Sequence, residues 1–566
     1  MSGSDLIITL LSCAGFMALV AWVSYQFSRT ETQTKEGYFL AGRNLGGVFI
    51  AGSLLLTNLS AEQLIGLNGS AYGFNMSSMA WEVTAAISTI IMAMIFLPRY
   101  LGGAFTTLPE FLNQRFDADV RRYSVVLFML GYGLITIPSV LYSGSIAVIK
   151  LFDVPQLLGL SEFSALCVTV LVIGLVGAMY AVFGGLKAVA VSDTLNGIGL
   201  LAIGILVPVL GLHLLGQGDI LRGLTQVFTT ETEKLNAIGD ASAPTPFGTL
   251  FTGMIFANLF YWCTNQYVIQ RTLAARNLAE GQKGVLLSGY FKVLVPFLMM
   301  IPGIIAYHLY GPGLASIDQA YPALIRDVFP IWLMGLFLAV LFGAVFSSFN
   351  SLLNSAATMF TLDIYMPLKK SEVTDRQAVR VAMLASGVIA VFSFIAAPLL
   401  WFAPEGLWQI IRIFTGFYNI PIIAIVVMGL FTRHTPAIGA KIVIVFHVLA
   451  YGLIKFVFDD LITLHFLHIY AILFVIEVAI MLLAGKLAPR QEAWQFRPNA
   501  KVDLTPWRHA QPVAITLISL VVGLYLFFSP IGIVTGALSL TFYLLIATLI
   551  GANLVYWTLH LRAKDA

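Results

Sequence analysis

Fifteen stretches of this chain are long and apolar enough to cross a bilayer, and little sequence lies between them. They run Ser4–Phe27, Leu45–Ala71, Met76–Leu101, Tyr123–Leu151, Phe163–Phe183, Asp193–Leu214, Phe247–Gln270, Val285–Leu309, Ile331–Thr361, Val381–Leu400, Leu407–Leu430, Ile438–Val457, Phe466–Leu483, Gln511–Phe528 and Ile531–Leu559. A spanning helix needs about 20 mostly apolar residues. Only 10% of residues are charged, against about a quarter in soluble domains, which leaves no room for a separate soluble domain. The predicted class is an all-α polytopic membrane protein of about 15 transmembrane helices. The first stretch lacks a basic start and a small-residue cleavage site, so it reads as a spanning helix and not a signal peptide. Cys13, Cys167 and Cys263 all fall inside apolar stretches, with neither metal-ligand spacing nor a disulfide framework.

The loops after odd-numbered spans hold 24 of the 31 basic residues, from Arg29, Lys35 and Arg43 to Arg562 and Lys564. Arg222, Lys234 and Arg326 lie in loops on the other side. By the positive-inside rule the amino terminus is outside and the carboxyl terminus cytoplasmic. Gly216–Pro246 is the longest outside connection, a polar surface loop with room for a short helix. Pro489–His509 sets the last two spans apart as an accessory pair.

Interrupted helices and buried ions mark a chain that handles polar cargo at mid-membrane. The second span reads Gly52-Ser-Leu-Leu-Leu-Thr-Asn-Leu-Ser-Ala-Glu-Gln63 and the seventh Ala257-Asn-Leu-Phe-Tyr-Trp-Cys-Thr-Asn-Gln266. Each carries an Asn-Leu pair near its middle and a glutamine a few residues on. They sit five spans apart, as inverted five-helix repeats require. Glu62, Glu82, Asp193, Lys292, Arg412 and Glu477 lie deep, where a charge costs about 2.5–3.5 kcal/mol on insertion scales. Each therefore needs a cavity or a partner. Glu82 and Lys292 suit one another across a polar cavity, and Glu477 reads as a structural pair. The ninth span offers the hydroxyls of Ser347, Ser348 and Ser351. They suit a hard cation seeking oxygen ligands, but equally a close helix contact.

Gly37-Tyr-Phe-Leu-Ala-Gly-Arg43, Asn58-Leu-Ser-Ala-Glu-Gln63, Ser139-Val-Leu-Tyr142, Gly184-Gly-Leu-Lys-Ala-Val189, Asn265-Gln-Tyr-Val-Ile-Gln-Arg-Thr-Leu-Ala-Ala275 and Asn354-Ser-Ala-Ala-Thr358 occur in this order. On these stretches the chain resembles the sodium:solute symporter family over nearly its whole length. It looks nearest to the sodium–sugar branch, and within that to uncharacterised bacterial symporters.

The resemblance implies a LeuT-like core of two inverted five-helix repeats with accessory helices. The divisions would be 1–44, 45–214 (first repeat), 215–246 (external loop), 247–430 (second repeat) and 431–566 (accessory). It implies Na+ as coupling ion, held by the carbonyls of Leu56, Leu59 and Ala344 and the hydroxyls of Ser347 and Ser348. Asp193 and Ser351 mark a possible second sodium position, although Asn350 stands where that position expects a serine. Sugar-site positions carry over as Gln63, Glu82, Asn258 and Lys292, with Tyr261, Trp262 and Trp81 as gate residues and Tyr261 on the inner side. Three positions depart from the galactose-carrier pattern. Thr136 replaces an asparagine, Ala85 a serine, and Arg412 a glutamine. Arg412 adds a fork suited to a carboxylate, sulfonate or phosphate.

The resemblance thus implies a bacterial inner-membrane symporter, not an enzyme, whose partners are sodium, a small solute and the lipid bilayer, with no nucleic acid. A monosaccharide is the expected cargo, acidic (a sulfonated hexose or uronate) or neutral. Sialic acid, an amino acid or a vitamin stand as alternatives. A polytopic enzyme or a sensor is the rival class, for which the sequence offers no nucleophile–base pair, metal cluster or signalling domain.

Overall fold

The computed structural model describes residues 3–28, 34–314, 316–369, 372–402, 407–496 and 502–562. Side chains at 3–6, 62, 150, 180–185, 318, 407–413 and 460 lie outside that description. Glu62 and Arg412 are thus beyond its reach as side chains. Among the described residues the chain is helical throughout, joined by short loops and one isolated bridge between Leu45 and Ala275.

Among the described residues thirteen helices are long and apolar enough to cross a membrane. The other two spans are the second and the seventh, and both are broken. The second runs Gly47–Asn58 and then Ala61–Gly73, with a bend of 58°. The seventh runs Gly253–Cys263 and then Gln266–Leu273. Joining the bent second span brings the count among the described residues to fourteen; the fifteenth expected span is met only by the short apolar helix Gly253–Cys263 and the segment Gln266–Leu273 that follows it.

The fifth and sixth spans differ from the reading in one respect. The sequence suggested a loop between Phe183 and Asp193, whereas one helical run extends over Glu162–Leu215. At 54 residues it would be about 81 Å long if straight, far more than one crossing. Its two apolar parts, Glu162–Met179 and Leu186–Leu215, each qualify as a span. The outside connection holds the short helix foreseen, Ile220–Thr229.

The two repeats are visible in their irregularities. After the break, the second half begins at Ser60 in the second span and at Asn265 in the seventh, 205 positions on. A π-helical turn begins at Met92 in the third span and at Pro296 in the eighth, 204 positions on. Such turns widen the backbone ladder and recur at functional sites.

Loops sort cleanly between two faces. Those following odd-numbered spans meet one another: Arg43 donates to the carbonyls of Leu273 and Ala104. Arg115 donates to Gly429, Thr432 and Thr435, covering the end of the eleventh span. Arg121 pairs with Asp363, and Lys441 with Asp117 and Asp119. Those following even-numbered spans meet on the other face. Lys234 donates to the Tyr72 carbonyl, Tyr72 to that of Gly311, and the Ala237 N–H to that of Phe528.

Candidate functional site

The break in the second span comes from a short run of diverted hydrogen bonds. In a continuous helix the Ser60 N–H would bond the Leu56 carbonyl, and the Gln63 N–H that of Leu59. Here Ser60 N–H donates to Asn58 O at 3.0 Å and Gln63 N–H to Ser60 O at 3.1 Å. Leu56 and Leu59 carbonyls are thereby released from the ladder. Ser347 and Ser348, on helix Ile331–Met359, are buried at the same level. The Ser348 hydroxyl lies 3.4 Å from the Thr57 carbonyl, and the Ser347 hydroxyl approaches the Asp193 carboxylate. Freed carbonyls and two buried hydroxyls form the oxygen-only donor set that a hard cation takes. The donors fit sodium.

Asp193 and Ser351 lie in the same layer but are already engaged. Asp193 Oδ2 accepts from Ser53 at 2.6 Å and stands 3.9 Å from Arg271. Arg271 donates to Ser351, to Ser53 and to the Tyr267 carbonyl. Ser351 in turn donates to the Ser347 carbonyl. Sequence reading named Asp193 and Ser351 and overlooked the guanidinium between them. Arg271 sits in a quoted motif, yet its burial could not be read from loop-like Gln-Arg-Thr.

In the seventh span the Asn265 N–H turns back to Phe260 O, and the Tyr100 hydroxyl donates to the Cys263 carbonyl. Tyr132, in the π-helical turn Gly131–Thr136, donates to Asn265 Oδ1. Tyr132, Tyr267, Tyr418 and Phe260 form one aromatic cluster at this level.

Between these two breaks lies a cavity of about 1090 Å³. Its wall includes Asn58, Ser60, Gln63, Trp81, Glu82 and Ala85 from the second and third spans. Thr136, Asn258, Tyr261, Trp262 and Ser348 complete the positions expected from the sequence. Toward the even-numbered loops it is bordered by Phe74, Ala241–Pro244, Ile317 and Pro322. The Tyr132–Asn265 contact and the aromatic cluster close its other end.

Glu82 is the pivot of its polar wall. Its Oε1 accepts from the Gln63 amide at 3.1 Å and its Oε2 from the Lys292 ammonium. Lys292 is 1% exposed and lies 5.4 Å from the Trp262 ring. It therefore acts on the cavity through Glu82 and Trp262, and is not itself part of the lining. The Asn258 amide donates to Thr84 at 2.9 Å. The Thr136 hydroxyl is satisfied by the Gly131 carbonyl at 3.0 Å. Asn58 Oδ1, Ser60 Oγ and Gln63 Oε1 are buried without a protein hydrogen-bond partner among the described residues. Tyr261 meets Trp262 at 5.6 Å and Tyr267 at 5.8 Å, on the side of the closed end.

Sequence reading missed part of the wall. His465, Phe466 and Tyr470 come from the thirteenth span and line the same cavity, Phe466 stacking on Trp81 at 6.4 Å. Thr415, Tyr418 and Asn419 come from the eleventh. The polar-aromatic start His-Phe-Leu-His-Ile-Tyr of the thirteenth helix was the available signal. On the loop above the mouth, the Ser242 hydroxyl and N–H hold the Asp240 carboxyl below its ordinary range. Burial lowers Lys234, whose ammonium lies over the Tyr307 ring.

A helical membrane core with paired broken spans, a cation-suited donor set and a one-sided polar cavity defines a secondary transporter. Residues 38–446 match the Sodium:solute symporter family, and the chain belongs to that family. It is 43% identical to the Uncharacterized symporter YidK of Escherichia coli (strain K12), over 91% of this chain and 90% of that one. It is 32% identical to the Sodium/glucose cotransporter of Vibrio parahaemolyticus, over 78% and 83% of the two chains. Among solved structures, a substrate-bound outward-open Na+-coupled sialic acid symporter shares the fold. Its TM-score is 0.74 at 22% identity, covering 86% of this chain and 99% of that one. The protein is a multi-pass, sodium-coupled symporter with a LeuT-like core.

Proposed function

We propose that this symporter carries a monosaccharide, binding it at Gln63, Glu82 and Asn258 with Lys292 behind them. The observation that carries this reading is the Gln63–Glu82–Lys292 chain beside Trp262 and Trp81. A sugar ring presents hydroxyls that donate and accept, which amide and carboxylate groups can orient, and C–H faces that aromatic rings cover. The relatives of the sodium–glucose and sodium–myo-inositol type point the same way.

Sodium at Leu56, Leu59, Ala344, Ser347 and Ser348 holds the broken helix in the form that places Gln63 and Glu82. The two ligands thus favour each other's binding, as linkage requires. With the basic loops cytoplasmic, in a bacterial inner membrane, the amino terminus is outside and the cavity opens outward. Tyr261 then gates the inner exit. Inward movement of one sodium gains about 2.3 kcal/mol per 100 mV of potential.

A second reading concerns the charge of the solute. Glu82 is neutralised by Lys292, so the described wall carries no net charge from this pair. At position 412 an arginine stands where the galactose-carrier pattern has a glutamine. An arginine there favours a uronate or sulfonated hexose. Thermal-shift titration of the purified protein with neutral and acidic sugars, in sodium and in potassium, tests both. Stabilisation by a sugar only in sodium supports the main reading, and no response to any sugar overturns it. An acidic preference that Arg412→Gln abolishes supports the acidic cargo; an unchanged preference removes it.

A further inference from the structure

The last two spans form a hairpin, Ala510–Phe527 and Leu540–Arg562, at the edge of the molecule. The second of these helices is almost bare: Phe542 is its only buried residue among those described. It is tied to its neighbour by three polar contacts. The Trp557 indole donates to Thr516 at 2.9 Å, the Asn553 amide to Ser519 at 2.6 Å, and Tyr556 lies 3.5 Å from Gln511.

The start of the first helix and the end of the second meet at the face of the odd-numbered loops. His509 and His560 face one another with ring centres 5.6 Å apart, and Trp557 lies 5.9 Å from His509. Trp507 stands 6.0 Å from His509 on the other flank. Arg508 and Arg562 are exposed at the edges of this group. The Arg508 guanidinium donates to His509 Nε2 at 2.7 Å, and His560 Nε2 has no hydrogen-bond partner among the described residues.

Charge is what makes this end unusual. From Leu504 to Arg562 the sequence holds no aspartate or glutamate. All the charge of the hairpin is basic and sits at one end, beside two interfacial tryptophans. No side chain caps the first turn of Ala510–Phe527, so the positive end of that helix adds to the same field. Arginine at a bilayer surface without a carboxylate partner attracts anionic headgroups, and indoles settle at headgroup depth.

We propose that Trp507, Arg508, His509, Trp557, His560 and Arg562 form a binding site for the phosphodiester headgroup of an anionic phospholipid. The lipid fastens the peripheral hairpin, its phosphate held by the two guanidinium groups and its acyl chains along the bare helix. The site is remote from the solute cavity and does not depend on what the cavity carries.

Native mass spectrometry of the full chain, purified in detergent and offered phosphatidylglycerol and phosphatidylcholine of equal chain length, tests the site. Wild type retains phosphatidylglycerol in preference. Each arginine contributes roughly fivefold to affinity for an anionic surface. The double variant Arg508→Gln/Arg562→Gln therefore binds phosphatidylglycerol roughly thirtyfold less tightly, with phosphatidylcholine unaffected. Arg508→Lys/Arg562→Lys keeps the preference, and Arg222→Gln, on the opposite face, leaves it unchanged. Equal retention of the two lipids by wild type, or undiminished phosphatidylglycerol binding in the glutamine variant, overturns the proposal. Displacement of the lipid by millimolar inorganic phosphate overturns it too, since the site would then serve a free anion. If the glutamine variant does not fold, loss of preference in the lysine variant decides against the headgroup site.

Discussion

The Arg271 guanidinium stands 3.9 Å from the Asp193 carboxylate, with both side chains sealed from solvent, and donates to the Ser351 hydroxyl on the other side. A permanent cation therefore occupies the space that a second sodium would need between Asp193 and Ser351. Binding there would set two positive charges together in a low-dielectric layer, where repulsion is strong.

This geometry predicts one coupling sodium. Sodium titration of solute-induced stabilisation should give a Hill coefficient near one. A coefficient near two would show that Arg271 moves aside.

Ser347 and Ser348 should govern sodium and not the fold. Both hydroxyls are buried, and the Asp193 carboxylate that Ser347 approaches is also held by Ser53 and Arg271, so removing Ser347 leaves it partnered. Hydrogen bonds and related contacts to charged groups are worth about 1.5–3 kcal/mol. Ser347→Ala or Ser348→Ala should accordingly weaken sodium binding roughly 10–100-fold, read as the sodium concentration that half-saturates the thermal shift. The melting temperature without sodium should stay near that of wild type.

Glu82 and Lys292 should behave as a pair. Breaking a buried ion pair from one side costs about 3–5 kcal/mol, because the remaining charge has no partner. Glu82→Gln alone should lower the melting temperature sharply. Glu82→Gln/Lys292→Met should recover most of that stability and still fail to bind solute. A double variant as unstable as the single one would place the loss elsewhere.

His447 and Glu477 make a second buried hydrogen-bonded pair, away from the cavity. His447 Nδ1 lies 2.5 Å from Glu477 Oε1, and its Nε2 donates to the Gly416 carbonyl at 2.9 Å. Both side chains are buried. His447→Ala leaves the buried Glu477 carboxyl without its hydrogen-bond partner and should destabilise by about 1–3 kcal/mol, measured by thermal melting. Glu477→Gln can donate its amide to Nδ1 and should cost less. The reverse order would refute the pairing.

Much of this was legible in the sequence, for a physical reason. Hydrocarbon demands long apolar runs, so the spans announce themselves, and the two that fail as continuous helices are the two whose polar centres marked them. The sodium donors were legible only through the resemblance, since serines such as Ser347 serve helix contacts equally well. Three things were not legible. Helical continuity through Glu162–Leu215 is a property of backbone where hydropathy shows only a dip. Arg271 looks like a loop cation until its buried partners are seen. Phe466 and Tyr470 belong to a span outside both repeats, and the polar-aromatic start that marks their helix does not say which cavity it faces.

The near-constant spacing between the two breaks and between the π-helical turns of the third and eighth spans has one more consequence. Ser60 and Asn265, like Met92 and Pro296, are counterparts in halves that run through the membrane in opposite senses. Each half thus repeats the same irregularities in the same order, and every one of these positions has a structural counterpart about two hundred residues away.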